Sequence, residues 1–503
     1  VWTQLRRSEL TLLGVLSPLV ATRQRREVLT ALTVAYMLVQ LSSLPVALSL
    51  PTIAEHFEVG IDDATWIVIV YLMVLGSLVL LAARLGDLYG HVRMFFLGIV
   101  VATLGAGLLM VAGELWHLVI IRGVAGVGSA MIMGNANAIL AVTFPPSERG
   151  RAFAIPTIGA RIGTLTGLVV FGAFLHFIGW RPVFGIFVPL GVLAMVVSVP
   201  ILRHPLPSDL APEGRSIDWA GAVLLVVTVG VFMLAGAHLH GGEESFVSSD
   251  GLRYHVPMHL LTVLMLGVFV LVERRISSPI VDMQHLRNPA FTFSLGTNVT
   301  FHASMLGTMT LVPILVEEGF GMSPIWVIVA LLPSQALGLF MPLIAGWIYD
   351  RYHPKFLRLW LLLLIAAGFF VLSLSGGGLS FWTLPLLMLP ISIGSNMFNP
   401  VNNATIMNSL PLEHRGMASG MLETTRELGH ALGATAAAAV LTLALPTGIG
   451  LVSQASAQVY FSEGFRLATL AVVGVLLFGA ALAYFQQMQF RGAYHQTTVG
   501  IED

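Results

Sequence analysis

Apolar residues in this chain come in long unbroken runs, with no strand-like alternation. The runs lie at 28–50, 64–83, 94–112, 117–142, 151–174, 182–202, 218–238, 257–273, 290–316, 323–348, 356–375, 380–407, 416–444 and 463–486, fourteen in all. Most are close to the roughly 20 residues a helix needs to cross a bilayer. In hydrocarbon, backbone amides must be satisfied inside the segment or in a closed barrel. Barrel strands would be short and alternating, so the pattern predicts an all-α polytopic membrane protein with fourteen transmembrane helices.

Composition narrows the function. The 503 residues are 56% hydrophobic and 10% charged, whereas soluble domains carry about 25% charged residues. A net charge of -1, with arginines scattered between apolar runs, excludes a nucleic-acid binder. The absence of cysteine excludes disulfide frameworks, thiolate metal sites and a cysteine nucleophile. The sequence has no phosphate-binding loop, metal-ligand cluster or catalytic-triad spacing, so we expect neither an enzyme nor a bound metal or cofactor. Residues 1–27 are Arg-rich and lack a cleavage site, so they are not a secretory signal. Within them, Leu10 to Leu19 fits either a short interfacial helix or a disordered tail.

Basic residues set an expected orientation. With the N-terminus inside, Arg23, Arg25, Arg84, Arg93, Arg149, Arg151, Arg274, Arg275, Arg351, Lys355, Arg358 and Arg415 are among those on the cytoplasmic side, and only Arg181, Arg253 and Arg466 lie opposite. Both termini are then cytoplasmic and the protein lies in the plasma (inner) membrane.

Two loops resemble each other, Pro145-Pro146-Ser147-Glu148-Arg149-Gly150 and Leu410-Pro411-Leu412-Glu413-His414-Arg415-Gly416. Setting Arg149 against Arg415 pairs Ala152 with Ala418, Gly163 with Gly429 and Gly167 with Gly433. The implied organisation is a cytoplasmic segment 1–27, a six-helix bundle 28–202, an inserted two-helix segment 203–289, a second six-helix bundle 290–486 and a cytoplasmic tail 487–503. Repeats of this kind are a mark of transporters, with the substrate site near the midplane between the repeats.

At this point the motifs resemble a known family. Leu85-Gly86-Asp87-Leu88-Tyr89-Gly90-His91-Val92-Arg93 resembles the loop between spans 2 and 3 of the major facilitator superfamily, and Arg122-Gly123-Val124-Ala125-Gly126-Val127-Gly128 resembles its span-4 motif. The span count, Asp218-Trp219-Ala220-Gly221 and the region of Arg426 are similar to the fourteen-span drug:proton antiporter branch. The resemblance implies the major facilitator fold and a gating latch built from Gly86, Asp87, Gly90, Arg93, Arg122, Asp350 and Arg351. In physical terms, Gly86 and Gly90 allow close approach, and Asp87 and Arg93 can pair or cap neighbouring helices. A plain topological anchor is the alternative. The chain departs from the branch in three spans. Ser42 stands where span 1 usually carries an acid, Ala125 stands where span 4 usually carries Gln, and Gly167 to Gly172 lacks the proline and one glycine of the span-5 motif.

Charges inside apolar runs cost several kcal/mol unless paired or wet. Glu423, Arg426, Glu427 and His430 fall at i, i+3, i+4 and i+7, on one helical face. They are candidates for proton coupling, or else a self-neutralised structural network. Arg161, ten residues into span 5, is placed to attract an anionic substrate group or hold a gate. Asn396, Asn399 and Asn403 share a face in span 12, and Asn135, Asn298 and His302 are further polar candidates. The resemblance implies that the spans bearing them line the substrate cavity, while interhelical hydrogen bonding is the plainer role. The expected function is secondary active export of lipophilic or amphiphilic molecules, drug-like or lipid-like, by alternating access and driven by protons. The expected partners are that substrate, protons and membrane lipids. The alternative is a transporter-like scaffold in a larger complex, with other membrane subunits as partners.

Overall fold

The computed structural model describes residues 12–42, 44–203, 218–236, 249–276, 279–323, 325–374, 380–444 and 454–489. The described residues form helices and their connections, with no strand among them. The principal helices are α1 (Arg23–Leu41), α2 (Ile61–Tyr89), α3 (His91–Leu109), α4 (Leu115–Thr143), α5 (Arg149–Phe177), α6 (Phe187–Arg203), α7 (Trp219–Gly236), α8 (Ser249–Glu273), α9 (Pro289–Ile314), α10 (Ile325–Leu337), α11 (Met341–Tyr352), α12 (Leu357–Leu374), α13 (Leu389–Asn408), α14 (Arg415–Ala444) and α15 (Gln454–Gln489).

Among the described residues each apolar run falls on helix, with breaks that run length alone did not predict in 28–50, 182–202, 323–348 and 380–407. The run 28–50 stops being one helix at Leu41 and continues as a 3-10 turn over Leu44–Ser49 and a short helix over Leu50–Phe57. Pro45 and Pro51 lack the N–H that would continue the ladder. The run 323–348 divides into α10 and α11 just before Pro342 for the same reason. Among the described residues, ten helical stretches are long and apolar enough to cross a membrane, with a mean hydropathy of 2.6 for Asp63–Tyr89. Helices α1, α5, α9 and α14 are not among the ten.

Two compact units emerge. One comprises Val1–Ile217, Pro342–His353 and Asn403–Glu423, and the other comprises Asp218–Met341, Pro354–Asn402 and Thr424–Asp503. Glycines set the helix spacing in each. In the first, Gly98 of α3 and Gly128 of α4 meet backbone to backbone, and Gly159 and Gly163 seat α5 on Thr33 and Met37 of α1. In the second, Gly429 and Gly433 seat α14 on Val299, His302 and Ala303 of α9. Small residues serve this purpose because lipid supplies no hydrophobic drive between helices, so close van der Waals packing must hold them. The core of the second unit is aromatic and aliphatic, with the rings of Phe301 and Phe398 4.4 Å apart.

This packing makes a paired prediction. A Cβ at Gly128 would lie 2.6 Å from Ala102 N and 2.7 Å from Gly98 O, whereas one at Gly230 meets nothing within 4 Å. Gly128→Ala should therefore cost about 1–3 kcal/mol through overpacking, and Gly230→Ala should be neutral or gain up to ~1 kcal/mol. Thermal unfolding of the two variants in detergent checks the contrast.

Candidate functional site

The first candidate lies in the first unit, where α2 ends and α3 begins. Gly90 joins these helices at φ +98°, a conformation that favours glycine. Gly86 packs so closely that a Cβ there would strike the side chains of Asn135 and His91. Asp87 is buried. It takes Arg84 Nη1 at 3.3 Å and His91 Nε2 at 3.3 Å, and its carboxylate lies against Gly416, in the first turn of α14. Arg93 is exposed and is not its partner; His91, at the start of the same helix, is.

Asp350 makes the corresponding contact at α5. Its Oδ1 accepts from Gly150 N at 2.8 Å, and its Oδ2 accepts from Arg151 N at 3.0 Å and Arg151 Nε at 2.9 Å. The first N–H groups of a helix have no partner inside it, and the side chain of the residue preceding α5, Glu148, caps none of them. A carboxylate from α11 does so instead, where the helix dipole also favours negative charge. Gly150 and Gly346 touch backbone to backbone beneath this cap. Arg351, beside Asp350, is exposed.

Two arginines flank the caps. Arg149 donates to the carbonyls of Phe144 at 3.1 Å and Ala141 at 2.6 Å, and to Asn408 Oδ1. Arg149 and Arg415 stand at the first residues of their helices, outside the apolar runs. Burial lowers Arg149 to about 10, opposed by Tyr349, and burial followed by the charge of Arg149 lowers Arg415 to about 10.

Deeper in the same unit, Arg122 is fully buried. It donates to Ile67 O at 3.2 Å, Ser42 Oγ at 3.0 Å and Ser42 O at 2.9 Å, and its guanidinium sits 4.0 Å from the centre of the Tyr71 ring. Ser42 and Arg122 are therefore neighbours, and among the described residues no carboxylate pairs with this arginine. Arg161, on α5, is half-buried.

The stripe on α14 divides between environments. Glu423 is fully buried and accepts from Asn137 Nδ2 at 2.7 Å, while Tyr36 donates to Asn137 Oδ1 at 3.1 Å. In the second unit, Glu427 lies 3.5 Å from Arg426 Nε and 3.4 Å from His430 Nδ1. His430 Nε2 lies 3.1 Å from His302 Nδ1, which makes a chain of titratable groups from α14 to α9.

The amides also divide. Asn298 donates to Thr425 Oγ1 at 3.0 Å and accepts from Asn402 Nδ2 at 3.1 Å. Asn135 donates to Ala82 O and Met131 O and meets His91 Nδ1 at 2.8 Å, so it belongs to the packing beneath Gly86. Asn396, Asn399 and Asn403 differ from these, because each has a buried amide oxygen with no hydrogen-bond partner. Buried acceptors of this kind call for a donor.

Sequence reasoning missed several participants. Arg151 and His91 sit beside residues that were singled out. Tyr36 and Asn137 carried a weak signal, as polar groups inside apolar runs. Arg358 read as a cytoplasmic charge, yet it is buried and donates to Ser294 Oγ at 3.0 Å, Asn402 Oδ1 at 2.9 Å and Gln486 Oε1.

Comparison with known proteins gives the context. Residues 30–434 match the family model described as Major Facilitator Superfamily. The chain is 28% identical over 415 residues to multidrug resistance protein Stp of Mycobacterium tuberculosis, covering 82% of this chain and 75% of that protein. It is 25% identical to the riboflavin transporter RibZ of Clostridioides difficile, covering 85% and 91%. Further relatives at 24–27% identity are named for antibiotic resistance or multidrug efflux. The fold matches the human organic anion transporter MFSD10 with a TM-score of 0.60 at 14% identity, covering 92% and 100% of the two chains.

The α5 cap yields a graded prediction. Asp350→Ala removes three acceptor contacts and should destabilise the protein by about 0.5–2 kcal/mol, the range for a lost helix cap. Asp350→Asn keeps one acceptor oxygen and loses the charge, so it should fall between that variant and the parent. Thermal unfolding in detergent ranks the three, and equal midpoints would contradict the capping role.

Proposed function

The chain belongs to the major facilitator superfamily, and from that premise we propose that it exports lipophilic or amphiphilic small molecules by alternating access, coupled to protons. The observation that carries this reading is Glu423, a carboxylate with no exposed surface, held by the Asn137 amide. A group so placed is costly in hydrocarbon unless it serves a purpose, and a proton removes that cost when the environment changes. Glu427, His430 and His302 supply the next titratable stations, within hydrogen-bonding or ion-pairing distance in sequence.

In this reading all fourteen helical stretches cross the plasma membrane, with both termini in the cytoplasm. The Asp350 cap on α5 and the Asp87 contact at Gly416 then lie at the cytoplasmic end and act as its latch. Opening that end breaks three hydrogen bonds at Asp350, while the alternative state offers water to the freed groups. The open acceptors of Asn396, Asn399 and Asn403 suit a substrate with a few hydrogen-bond donors on an otherwise apolar body. The names of the relatives, multidrug resistance, antibiotic resistance and riboflavin transport, support a tolerant site for amphiphiles. Arg161 is the cation on which an anionic substituent would be selected.

The test uses proteoliposomes with an imposed pH gradient and a fluorescent aromatic lipophile. Glu423→Gln should abolish gradient-driven accumulation and leave counterflow exchange of the dye. Glu427→Gln should reduce accumulation by at least about tenfold, the scale of a lost charged interaction of ~1.5 kcal/mol. Unchanged accumulation in both variants would refute the coupling role.

A further inference from the structure

Outside the groups used above, the α7–α8 pair buries two acids. Asp218, immediately before α7, and Glu273, the last residue of α8, are 7% and 2% exposed. Each uses one oxygen to hold backbone. Asp218 Oδ1 accepts from Gly221 N at 2.8 Å, and Glu273 Oε2 accepts from Val281 N at 3.0 Å. The other two oxygens, Asp218 Oδ2 and Glu273 Oε1, are buried and have no hydrogen-bond partner among the described residues. Both lie so close over Gly221 that a Cβ there would be 2.2 Å from one and 2.3 Å from the other, which brings the two carboxyl groups together. Two ionised carboxylates cannot stay in such contact without a cation or a proton between them. Two free oxygens are far too few for a hard cation, which takes six or more ligands, and no third acid or histidine joins them among the described residues.

We propose that Asp218 and Glu273 share one proton, and that this carboxyl–carboxylate bond staples the α7–α8 pair to the segment leading into α9. The staple works through Val281, whose N–H ends on Glu273 and whose side chain, like that of Ile280, is buried. Among the described residues of this segment, the nearby charges point elsewhere. Arg274 and Arg275 are exposed, and Asp282 is turned to His285 at 3.7 Å. Loss of the proton sets two charges against each other and frees the segment, so the hairpin responds to pH independently of transport.

The chain has no cysteine, which makes thiol labelling a clean test. V281C keeps the backbone N–H and places the only thiol at a buried position, and Q284C, at an exposed position of the same segment, corrects for the intrinsic pH dependence of the thiol. The V281C to Q284C ratio of maleimide labelling should be low and flat at acid pH. It should then rise by about tenfold as the pair deprotonates. Adding D218N puts an amide donor where the proton was, so the ratio should stay low at every pH. E273Q tests the same point from the other side if D218N fails to express. A ratio that does not move with pH in the parent, or keeps its pH profile in D218N and E273Q, would overturn the proposal. A ratio that follows added sodium or calcium at fixed pH would overturn it as well.

Discussion

The organising constraint in this protein is that a charge or an N–H removed from water must find its partner inside the chain. Hydrocarbon offers none. The start of α5 shows the solution most directly. Its first N–H groups are satisfied by a carboxylate from α11, some 200 residues away in sequence, and not by the residue that precedes the helix. A local cap would hold only its own helix. A distant cap ties the helix end to another element and makes its N–H groups conditional on that contact. The Asp87 carboxylate likewise lies against the backbone at Gly416, in the first turn of α14. Glycine is required at both places because the acid must approach the backbone itself.

The same constraint explains how one helix carries two different acids. Glu423 and Glu427 are one turn apart, yet the first faces a neutral amide and the second faces Arg426 and His430. The α7–α8 acids are a third case, in which the partner of a carboxylate is another carboxylate.

Arg122 shows the constraint met without any acid. Its guanidinium is satisfied by two carbonyls, the Ser42 hydroxyl and the face of Tyr71. Neutral acceptors and a ring quadrupole replace a counter-ion.

The sequence by itself determined the solvent, the helical class and which residues were anomalous. Run length and the scarcity of charge are one-dimensional properties, and hydrocarbon admits so few backbone solutions that they suffice. The i, i+3, i+4, i+7 spacing placed Glu423 to His430 on one face for the same reason, since helix periodicity is local. Partner choice was decided only by tertiary structure. Nothing local says that Asp87 meets His91 and Gly416 rather than Arg93, that Asn137 rather than Asn135 reaches Glu423, or that Arg358 turns inward to Asn402 and Gln486. Those outcomes depend on how close the glycines let particular helices come and in what register. A one-residue change of register turns a side chain by about 100° around its helix, and the partner it meets changes with it.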